Sequence, residues 1–391
     1  MKNREAFAAM NNGDFDPTDF CVPGVRELRP YEPGKPISEL SRELGISDIV
    51  KLASNENPLG PSPRAIAAMR EELAKVALYP DGNAFALKRA LGEYHGVAMD
   101  RVTVGSGSDH LLELVARVFL APGRSAVVSR YGFAIYSIVA RAAGAELRVA
   151  EAHAPDHPTQ PYGHDPAAIH AEADETTRVM FIANPNNPTG TWLRAAELES
   201  LLTKISRQTM VVLDEAYYDY VAPFESEYPN SRALLERHPN LIVLRTFSKA
   251  YGLAGIRAGY ALAHPAVTDY LNRVRLSFNP NSLAQTGAVA ALADLDHVRL
   301  TVESNRTELV KLDAALRGMG LATIPSACNF ITADVGRSGR DVFNELLREG
   351  IITRPLDGYG LPNHLRISVG LREQNERLVA ALVRVLKLRK L

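Results

Sequence analysis

Four short apolar runs stand out along the chain, and within them apolar and polar positions do not alternate. The runs are 126–129, 179–183, 210–213 and 241–244. A strand with one face in water alternates apolar and polar side chains, whereas a strand covered on both faces is apolar throughout. The four runs therefore predict buried strands of a parallel sheet.

Helical periodicity fills much of the chain between these runs. Apolar residues recur at helical spacing after Ser108 and again after Arg194. Ser62 before Pro63 is typical of a helix N-cap followed by the first helical residue. Strands that alternate with helices predict βαβ crossovers. We therefore expect a large α/β domain over 46–274, with a mostly parallel central sheet flanked by helices.

The pattern changes after residue 275. Longer helical patterns follow, with only short strand candidates at 329–332 and 365–368. These features predict a smaller α+β domain over 275–391. Residues 1–45 begin with a polar stretch that contains Pro and Gly, so we expect an N-terminal arm that docks on the remainder and contributes to the small domain.

Composition and charge exclude several classes of protein. The 391 residues include 44 Lys and Arg against 45 Asp and Glu, which gives a net charge of -1. There is thus no general electrostatic attraction to nucleic acid or to an anionic membrane, and any bound anion must be held by a few placed groups. The two cysteines cannot form a disulfide framework, which favours a cytoplasmic protein. We expect neither a signal peptide nor a membrane span.

The ends of the predicted strands carry a concentrated set of polar residues, at the position where open α/β sheets bind ligands. They read N-P-N-N-P-T-G from Asn184, D-E-A-Y from Asp214, and T-F-S-K from Thr246, with glycines beyond. A fourth candidate strand at 102–104 runs into G-S-G-S and a helix, whose first backbone N–H groups suit a phosphate. This turn alone lacks the G-x-G-x-x-G pattern and is equally typical of a tight strand-to-helix connection.

Asp214 and Lys249 indicate what the strand ends do. A carboxylate at a buried strand end needs a cationic or N–H partner, because unpaired burial is costly. A partly desolvated lysine loses its proton more easily and can form a Schiff base. An amine for a Schiff base, an acid for a ring nitrogen and a phosphate site together point to pyridoxal phosphate.

These motifs resemble those of fold-type I pyridoxal-phosphate-dependent aminotransferases, and within them the histidinol-phosphate aminotransferases. The resemblance covers nearly the whole chain and is more specific for the cofactor than for the substrate. Besides the three strand ends, it rests on K-L-A-S-N-E-N-P-L-G-P-S-P from Lys51, Y-P-D-G from Tyr79, the continuation A-Y-G-L-A-G-I-R-A-G-Y from Ala250, and H-L-R-I-S-V-G from His364.

The resemblance implies roles for the cofactor residues. Lys249 would hold pyridoxal 5′-phosphate as a Schiff base and act as general base and acid. Asp214 would keep the ring nitrogen protonated. Tyr217 and Asn187 would bind the ring oxygen, and Tyr131 would stack on the ring. The cofactor phosphate would be held by Ser108 and neighbouring backbone N–H groups, by Ser248 and Arg257 and, from the second subunit of a homodimer, by Tyr79. Gly107, Asp109 and Thr246 are further expected cofactor-binding residues.

The same resemblance implies a substrate site. Arg366 would bind the carboxylate of glutamate through its bidentate fork, and Arg354 would contact the phosphate of histidinol phosphate. Tyr31, Asn57 and Asn187 complete the expected substrate residues. No metal site is expected, because the histidines of 151–170 are interrupted by prolines and joined by no cysteine.

The activity implied is amino transfer between L-histidinol phosphate and 2-oxoglutarate, giving imidazole acetol phosphate and L-glutamate, in histidine biosynthesis. An aromatic-amino-acid aminotransferase of the same fold shares the cofactor residues and stays open as an alternative. Remoter alternatives are a decarboxylase or C–S lyase of this fold and a non-catalytic cofactor-sensing domain. The last needs a DNA-binding module, which 1–45 does not suggest.

Overall fold

The four apolar runs lie in four strands of one seven-stranded sheet. A computed structural model of the chain describes residues 16, 18, 21–28, 30, 33–221 and 226–388. The strands are β1 (Val50–Lys51), β2 (Val102–Gly105), β3 (Ser125–Ser129), β4 (Glu146–Ala150), β5 (Thr177–Ala183), β6 (Met210–Asp214), β7 (Leu241–Thr246), β8 (Gly259–Ala263), β9 (Ala322–Ile324), β10 (Phe330–Asp334), β11 (Ile351–Ile352), β12 (Arg354–Leu356) and β13 (Leu361–Ser368).

The α-helices alternate with the strands of the large sheet and then grow longer. They are α1 (Pro23–Arg26), α2 (Ile37–Leu44), α3 (Pro63–Glu72), α4 (Phe85–His95), α5 (Gly107–Phe119), α6 (Ala134–Ala142), α7 (Pro166–Ala171), α8 (Ala195–Lys204), α9 (Tyr218–Val221), α10 (Ser231–Arg237), α11 (Pro265–Val274), α12 (Ser282–Leu292), α13 (Leu295–Gly318), α14 (Gly339–Arg348) and α15 (Arg372–Val385). Ser62 caps α3 as expected, since its side chain accepts from the backbone N–H groups of Arg64 and Ala65.

The large sheet has the strand order β2-β8-β7-β6-β5-β3-β4. Neighbouring strands are parallel except around β8, which runs antiparallel to both β2 and β7. Side chains of successive residues point to opposite faces of a sheet. Accordingly Val127, Val211 and Val243 belong to one apolar cluster, and Val128 and Val212 belong to another. Both faces are covered, which confirms the mostly parallel sheet flanked by helices.

A second, smaller sheet confirms the expected α+β part. It is antiparallel in the order β12-β13-β10-β9. Ile367 of this sheet shares a buried cluster with Leu316, Leu346 and Leu378 of the long C-terminal helices and with Leu40 of α2. Strand β1 pairs in parallel with β11, which ties residues 50–51 to the same region. The domain limits at residues 45 and 274 stay a prediction.

The two sheets bring distant polar residues to one place. Strands β5, β6 and β7 are adjacent and parallel, so their carboxyl ends lie at one edge. Asp214 ends β6, and Thr246 ends β7. In the smaller sheet, Arg354 and Arg366 lie opposite each other on β12 and β13. The candidate site lies between these elements.

Candidate active site

A cavity of about 270 Å³ lies at the carboxyl ends of the parallel strands. The start of α5 borders it on one side, and the two arginines of the smaller sheet border it on another. Its lining consists of Pro33, Gly34, Ala53, Ser54, Asn55, Ser108, Asp109, Phe133, Ile135, Tyr136, Ala183, Pro185, Asn187, Asp214, Ala216, Tyr217, Thr246, Ser248, Lys249, Arg257, Arg354 and Arg366. Most residues that the sequence predicts for the site thus come together here.

Lys249 presents a buried amine to the cavity. It follows β7, and its Nζ donates to the backbone carbonyl of Ser54 at 3.1 Å. Burial, helped by the positive charge of Arg366, lowers the pKa of Lys249 to about 8. A sizeable fraction of this amine is therefore neutral near physiological pH, which is the form that attacks a carbonyl carbon.

Asp214 presents a carboxylate that burial disfavours. Its Oδ2 accepts the hydroxyl proton of Tyr136 at 2.8 Å, and its Oδ1 accepts from the backbone N–H of Ala216 at 3.2 Å. Burial raises the pKa of Asp214 to about 6, although the Tyr136 hydrogen bond opposes the increase. A protonated ring nitrogen beside this carboxylate would offset the cost of burying its charge.

Hydrogen-bond donors at the start of α5 form a site for an anion. Gly107 begins the helix at φ +80°, and a Cβ at this position would lie 2.4 Å from Nη2 of Arg257. Arg257 donates through Nη1 to Ser248 Oγ at 3.2 Å and lies 3.5 Å from Asp109 Oδ2. The unpaired N–H groups of a helix start and a guanidinium both favour a phosphate. Because Ser108 also lines the cavity, these residues fit a phosphate-bearing ligand.

Thr246 holds the loop that carries Ser248. Its Oγ1 accepts from the backbone N–H of Ser248 at 3.1 Å and donates to the carbonyl of Ala258 at 3.3 Å. Both Thr246 and Ser248 are buried. Thr246 therefore acts on the anion site through its neighbours as well as by lining the cavity.

Arg366, Asn187 and Tyr217 form the opposite wall. Arg366 is 5% exposed and donates to Asn187 Oδ1 at 2.6 Å and to the carbonyl of Ala53 at 2.7 Å. Its buried Nε has no partner within the described part of the chain. Tyr217 Oη accepts from Asn55 Nδ2 at 2.8 Å. A buried guanidinium with an unused donor suits an anionic substrate group.

Gly107, Tyr131 and Asn57 are predicted residues that are not among the described lining of the cavity. Tyr131 is absent from the described lining; it packs edge-on against Tyr162 at 5.4 Å, while Phe133 lines the cavity in its place. Asn57 Nδ2 instead donates to the carbonyl of Gly60 and to two partners in other segments, so it holds a loop. The described lining therefore does not support the expectations that Tyr131 stacks on a ring and that Asn57 contacts substrate, and both stay predictions.

Two further predictions concern the chain surface and the N-terminal arm. Tyr79 is 81% exposed and stacks on Phe278 with ring centroids 4.4 Å apart. It lies outside the described lining of its own cavity, and its contact with a cofactor phosphate in a second subunit stays a prediction. Tyr31 falls outside the described residues. Arg354, in contrast, lines the cavity as expected.

Phe133, Tyr136 and Asn55 are among the lining residues that the sequence analysis does not single out. Phe133 is the extended N-cap residue of α6, and Tyr136 lies in the first turn of that helix. Their position directly after β3 was the available signal. Asn55 belongs to the K-L-A-S-N-E-N-P motif, two positions before the asparagine that was selected, and nothing in the motif distinguishes the two.

Two other kinds of feature are absent from the described residues. No three His, Cys, Asp or Glu side chains come together there as a possible metal site. None of the helices in that part of the chain has the length and apolar character required to cross a membrane.

Comparisons with known proteins agree with this geometry. The family model for "Aminotransferase class I and II" matches residues 47–382. "Histidinol-phosphate aminotransferase 2" of Pseudomonas fluorescens is 52% identical over 377 residues, which cover 96% of this chain and 99% of that protein. The protein of the same name from Pseudomonas aeruginosa is 52% identical over 366 residues, which cover 93% of this chain and 97% of that protein.

Solved structures share the fold across nearly the whole chain. The histidinol-phosphate aminotransferase of Sinorhizobium meliloti, in complex with pyridoxal-5′-phosphate, is 27% identical with a TM-score of 0.83 and covers 97% of this chain and 99% of its own. A single mutant of Thermus thermophilus aspartate aminotransferase is 22% identical with a TM-score of 0.80, and the match covers 93% of this chain and 98% of that chain. At this identity the similarity concerns the fold alone.

Proposed function

The chain belongs to the aminotransferase class I and II family, and from that premise we propose that it transfers the amino group of L-histidinol phosphate to 2-oxoglutarate. The products are imidazole acetol phosphate and L-glutamate, and the pathway is histidine biosynthesis. The observation that carries the proposal is the 52% identity to histidinol-phosphate aminotransferases along almost their full length. The pairing of Lys249 with Asp214 in one cavity supports it chemically.

We propose pyridoxal 5′-phosphate as the cofactor, because the residues present fit each part of it. A lysine amine of lowered pKa, a buried carboxylate and an anion site around Gly107 line one cavity. A cofactor of this kind supplies an electron-withdrawing ring that stabilises negative charge at the substrate α-carbon. The solved Sinorhizobium meliloti relative is described as a complex with this compound.

Individual residues of this chain would carry out different parts of the reaction. Lys249 would hold the cofactor covalently and, once released, remove a proton from the substrate α-carbon and return it. Asp214 would keep a proton on the ring nitrogen, while Tyr136 fixes the orientation of its carboxylate. Tyr217 and Asn187 would hydrogen-bond the ring oxygen. Ser108, Ser248 and Arg257 would bind the phosphate, with Gly107, Asp109 and Thr246 shaping that end of the site.

Arg366 and Arg354 would bind the anionic groups of the two substrates. They lie opposite each other on adjacent strands, so two positive charges face one cavity. Glutamate presents a carboxylate where histidinol phosphate presents a phosphate, and a guanidinium binds either through paired N–H donors. We propose that Arg366 serves both substrates and that Arg354 favours the phosphate.

We further propose that the protein is a homodimer in which each subunit completes the site of the other. Leu78, Tyr79, Leu276 and Phe278 all expose large apolar side chains. Exposed apolar side chains grouped near one aromatic pair are typical of a surface that another protein covers. Tyr79 would then reach the cofactor phosphate of the partner. A cytoplasmic location remains a prediction from the cysteine content.

A substrate comparison tests the proposal directly. The purified protein, supplied with pyridoxal phosphate and 2-oxoglutarate, is assayed with histidinol phosphate and with phenylalanine. We expect kcat/KM for histidinol phosphate to exceed that for phenylalanine at least about tenfold, because only the phosphate engages both arginines in charged hydrogen bonds. A tenfold preference for phenylalanine would replace the proposed activity with that of an aromatic-amino-acid aminotransferase.

A further inference from the structure

A buried amide hydrogen-bonds the hydroxyl of Tyr217 at the edge of the cavity. Asn55 Nδ2 lies 2.8 Å from Tyr217 Oη, and the two residues are 1% and 3% exposed. An amide nitrogen carries hydrogens and offers no lone pair, so it can only donate. Tyr217 Oη is therefore the acceptor, and its own proton is available to an acceptor other than Asn55.

Ser368 determines which end of the Asn55 amide faces the tyrosine. Ser368 Oγ accepts the backbone N–H of Asn55 at 2.8 Å and lies 3.0 Å from Asn55 Oδ1. A serine hydroxyl has a single proton. When Ser368 donates that proton to Oδ1, both Oγ of Ser368 and Oδ1 of Asn55 have a partner. The other end of the amide, Nδ2, is then directed at Tyr217. Loss of the serine hydroxyl would remove the group that favours this orientation.

The backbone of Asn55 is also fixed by its conformation and by a hydrogen bond. Its φ of +56° lies in the left-handed region, which asparagine tolerates better than most residues. Its carbonyl accepts from Asn329 Nδ2 at 3.0 Å. Asn329 and Ser368 come from the smaller sheet region, and Tyr217 lies in the loop after β6, so the amide is held between segments far apart in the chain.

We propose that Asn55, oriented by Ser368, is a positioning residue that makes the Tyr217 hydroxyl a hydrogen-bond donor into the cavity. This inference rests on the proposed function, because the acceptor is the ring oxygen of pyridoxal phosphate. Lys249 Nζ lies 5.7 Å from the ring centroid of Tyr217, so the tyrosine ring lies near the reacting amine. A donor at the ring oxygen stabilises the ionised oxygen over its protonated form.

The charges around Tyr217 are compatible with this role. Burial raises the pKa of the Tyr217 phenol well above its usual range, so the hydroxyl keeps its proton at neutral pH. Arg366 opposes that increase and Asp214 adds to it. Cys328 also raises this pKa, and Lys249 Nζ lies over the tyrosine ring. The Asn55 amide adds direction without adding charge.

Asn55→Asp tests the direction of the bond. A carboxylate of the same shape can only accept, so the Tyr217 hydroxyl would donate to it instead of into the cavity. The readout is the acid dissociation constant that governs the visible absorption band of the cofactor-loaded protein, measured by pH titration. We expect this constant to fall at least about threefold, because the ring oxygen loses a donor.

The same substitution in the Tyr217→Phe background separates the hydrogen bond from the added charge. We expect a clearly smaller decrease there, since no hydroxyl remains to be redirected. Equal decreases in the two backgrounds overturn the proposal. Circular dichroism and thermal unfolding of each variant establish that the fold is retained.

Ser368→Ala is the uncharged companion test. We expect the amide to turn more freely and the same acid dissociation constant to fall roughly twofold. This change corresponds to a fraction of the free energy of one hydrogen bond. Ser338→Ala is the matched control, because it loses a hydroxyl that caps α14 and lies outside the described lining. A constant unchanged by Ser368→Ala overturns the proposal. A wild-type protein without any visible band in pyridoxal phosphate contradicts the proposed function instead, so the two failures are distinguishable.

Discussion

Tyr136 donates its hydroxyl proton to Asp214 Oδ2 across 2.8 Å, and both residues are buried against the cavity. The ring of Tyr136 lies parallel to that of Phe181, with centroids 5.0 Å apart, which fixes the direction of the hydroxyl. The tyrosine lowers the pKa of a carboxyl that burial raises. It therefore favours the carboxylate form of Asp214, which is the form that can pair with a protonated ring nitrogen.

Tyr136→Phe should weaken this ionisation. Without the donor the pKa of Asp214 rises further, so the acid limb of the kcat/KM profile should move to higher pH. We expect kcat to fall about tenfold, which corresponds to the free energy of one hydrogen bond to a charged group. Rates measured from pH 5 to 9 test this, with Tyr220→Phe as a control that loses a buried hydroxyl outside the described lining. An acid limb that stays in place would contradict the role.

Lys249→Ala should abolish transamination. The amine is the proposed attachment point and proton carrier, and loss of a general base alone lowers rates by about 10²–10⁴-fold. Single-turnover assays and the visible absorption of the protein measure the two roles. Lys88→Ala is the control, because Lys88 is also a buried lysine of lowered pKa but lies outside the described lining. Full turnover by Lys249→Ala would refute the mechanism.

Asp214 should make the cofactor-free protein less stable as the pH rises. Its pKa is raised from 3.8 to about 6, so between these values the folded state binds the proton more tightly than the unfolded state. Stability from this group is therefore present at low pH and is lost as the pH passes through about 6. Asp214→Asn should remove that dependence. Urea unfolding at pH 4.5 and 7.5 should show the variant gaining stability relative to wild type, by about 1–3 kcal/mol.

A wild-type protein with the same pH dependence as Asp214→Asn would contradict this electrostatic account. The cofactor must be absent from both samples, because a cation beside the carboxylate would reverse the effect of burial.

Gly107→Ala should weaken binding of the cofactor phosphate. The new Cβ would lie 2.4 Å from Arg257 Nη2, and the φ of +80° already disfavours a side chain. We expect at least about a tenfold loss of affinity for pyridoxal phosphate, as one charged contact is displaced. Gly123→Ala is a matched control at φ +81° with open space around it. If both variants lose affinity equally, backbone strain and not the anion site is responsible.

Arg354→Gln should discriminate between the substrates. If Arg354 favours the phosphate, the KM for histidinol phosphate should rise about tenfold while that for glutamate changes less. Steady-state kinetics in both directions measures this. Arg348→Gln controls for loss of an exposed arginine. Equal increases for both substrates would assign Arg354 to general electrostatic attraction.

Much of the site followed from local signals in the chain. Lys249 and Asp214 were identified because each follows a buried strand, and burial alone makes a lysine or carboxylate reactive there. The helix start at Gly107 was identified in the same way, from a strand end followed by small residues. These arguments need only neighbouring positions along the chain, and the structure brings Lys249, Asp214 and, from that helix start, Ser108 to one cavity.

The lining residues that the sequence does not single out depend on how segments meet in space. Whether Tyr131 or Phe133 faces the cavity is set by the turn after β3, where Tyr131 is drawn away to Tyr162. Asn55 and Asn57 are equivalent as letters in one motif. Asn55 becomes a site residue only because Tyr217 and Ser368 approach it.

The sequence by itself determined the layered α/β fold and the chemistry of the strand ends, because burial periodicity and strand termini are local properties of the chain. Only the tertiary structure decided which side chains face the cavity and in which direction their hydrogen bonds run. Asn55 and Ser368 are 313 positions apart, yet they lie 2.8 Å from each other between N and Oγ. A hydrogen bond acts over that short distance alone, so its partners exist only once the two sheets have packed.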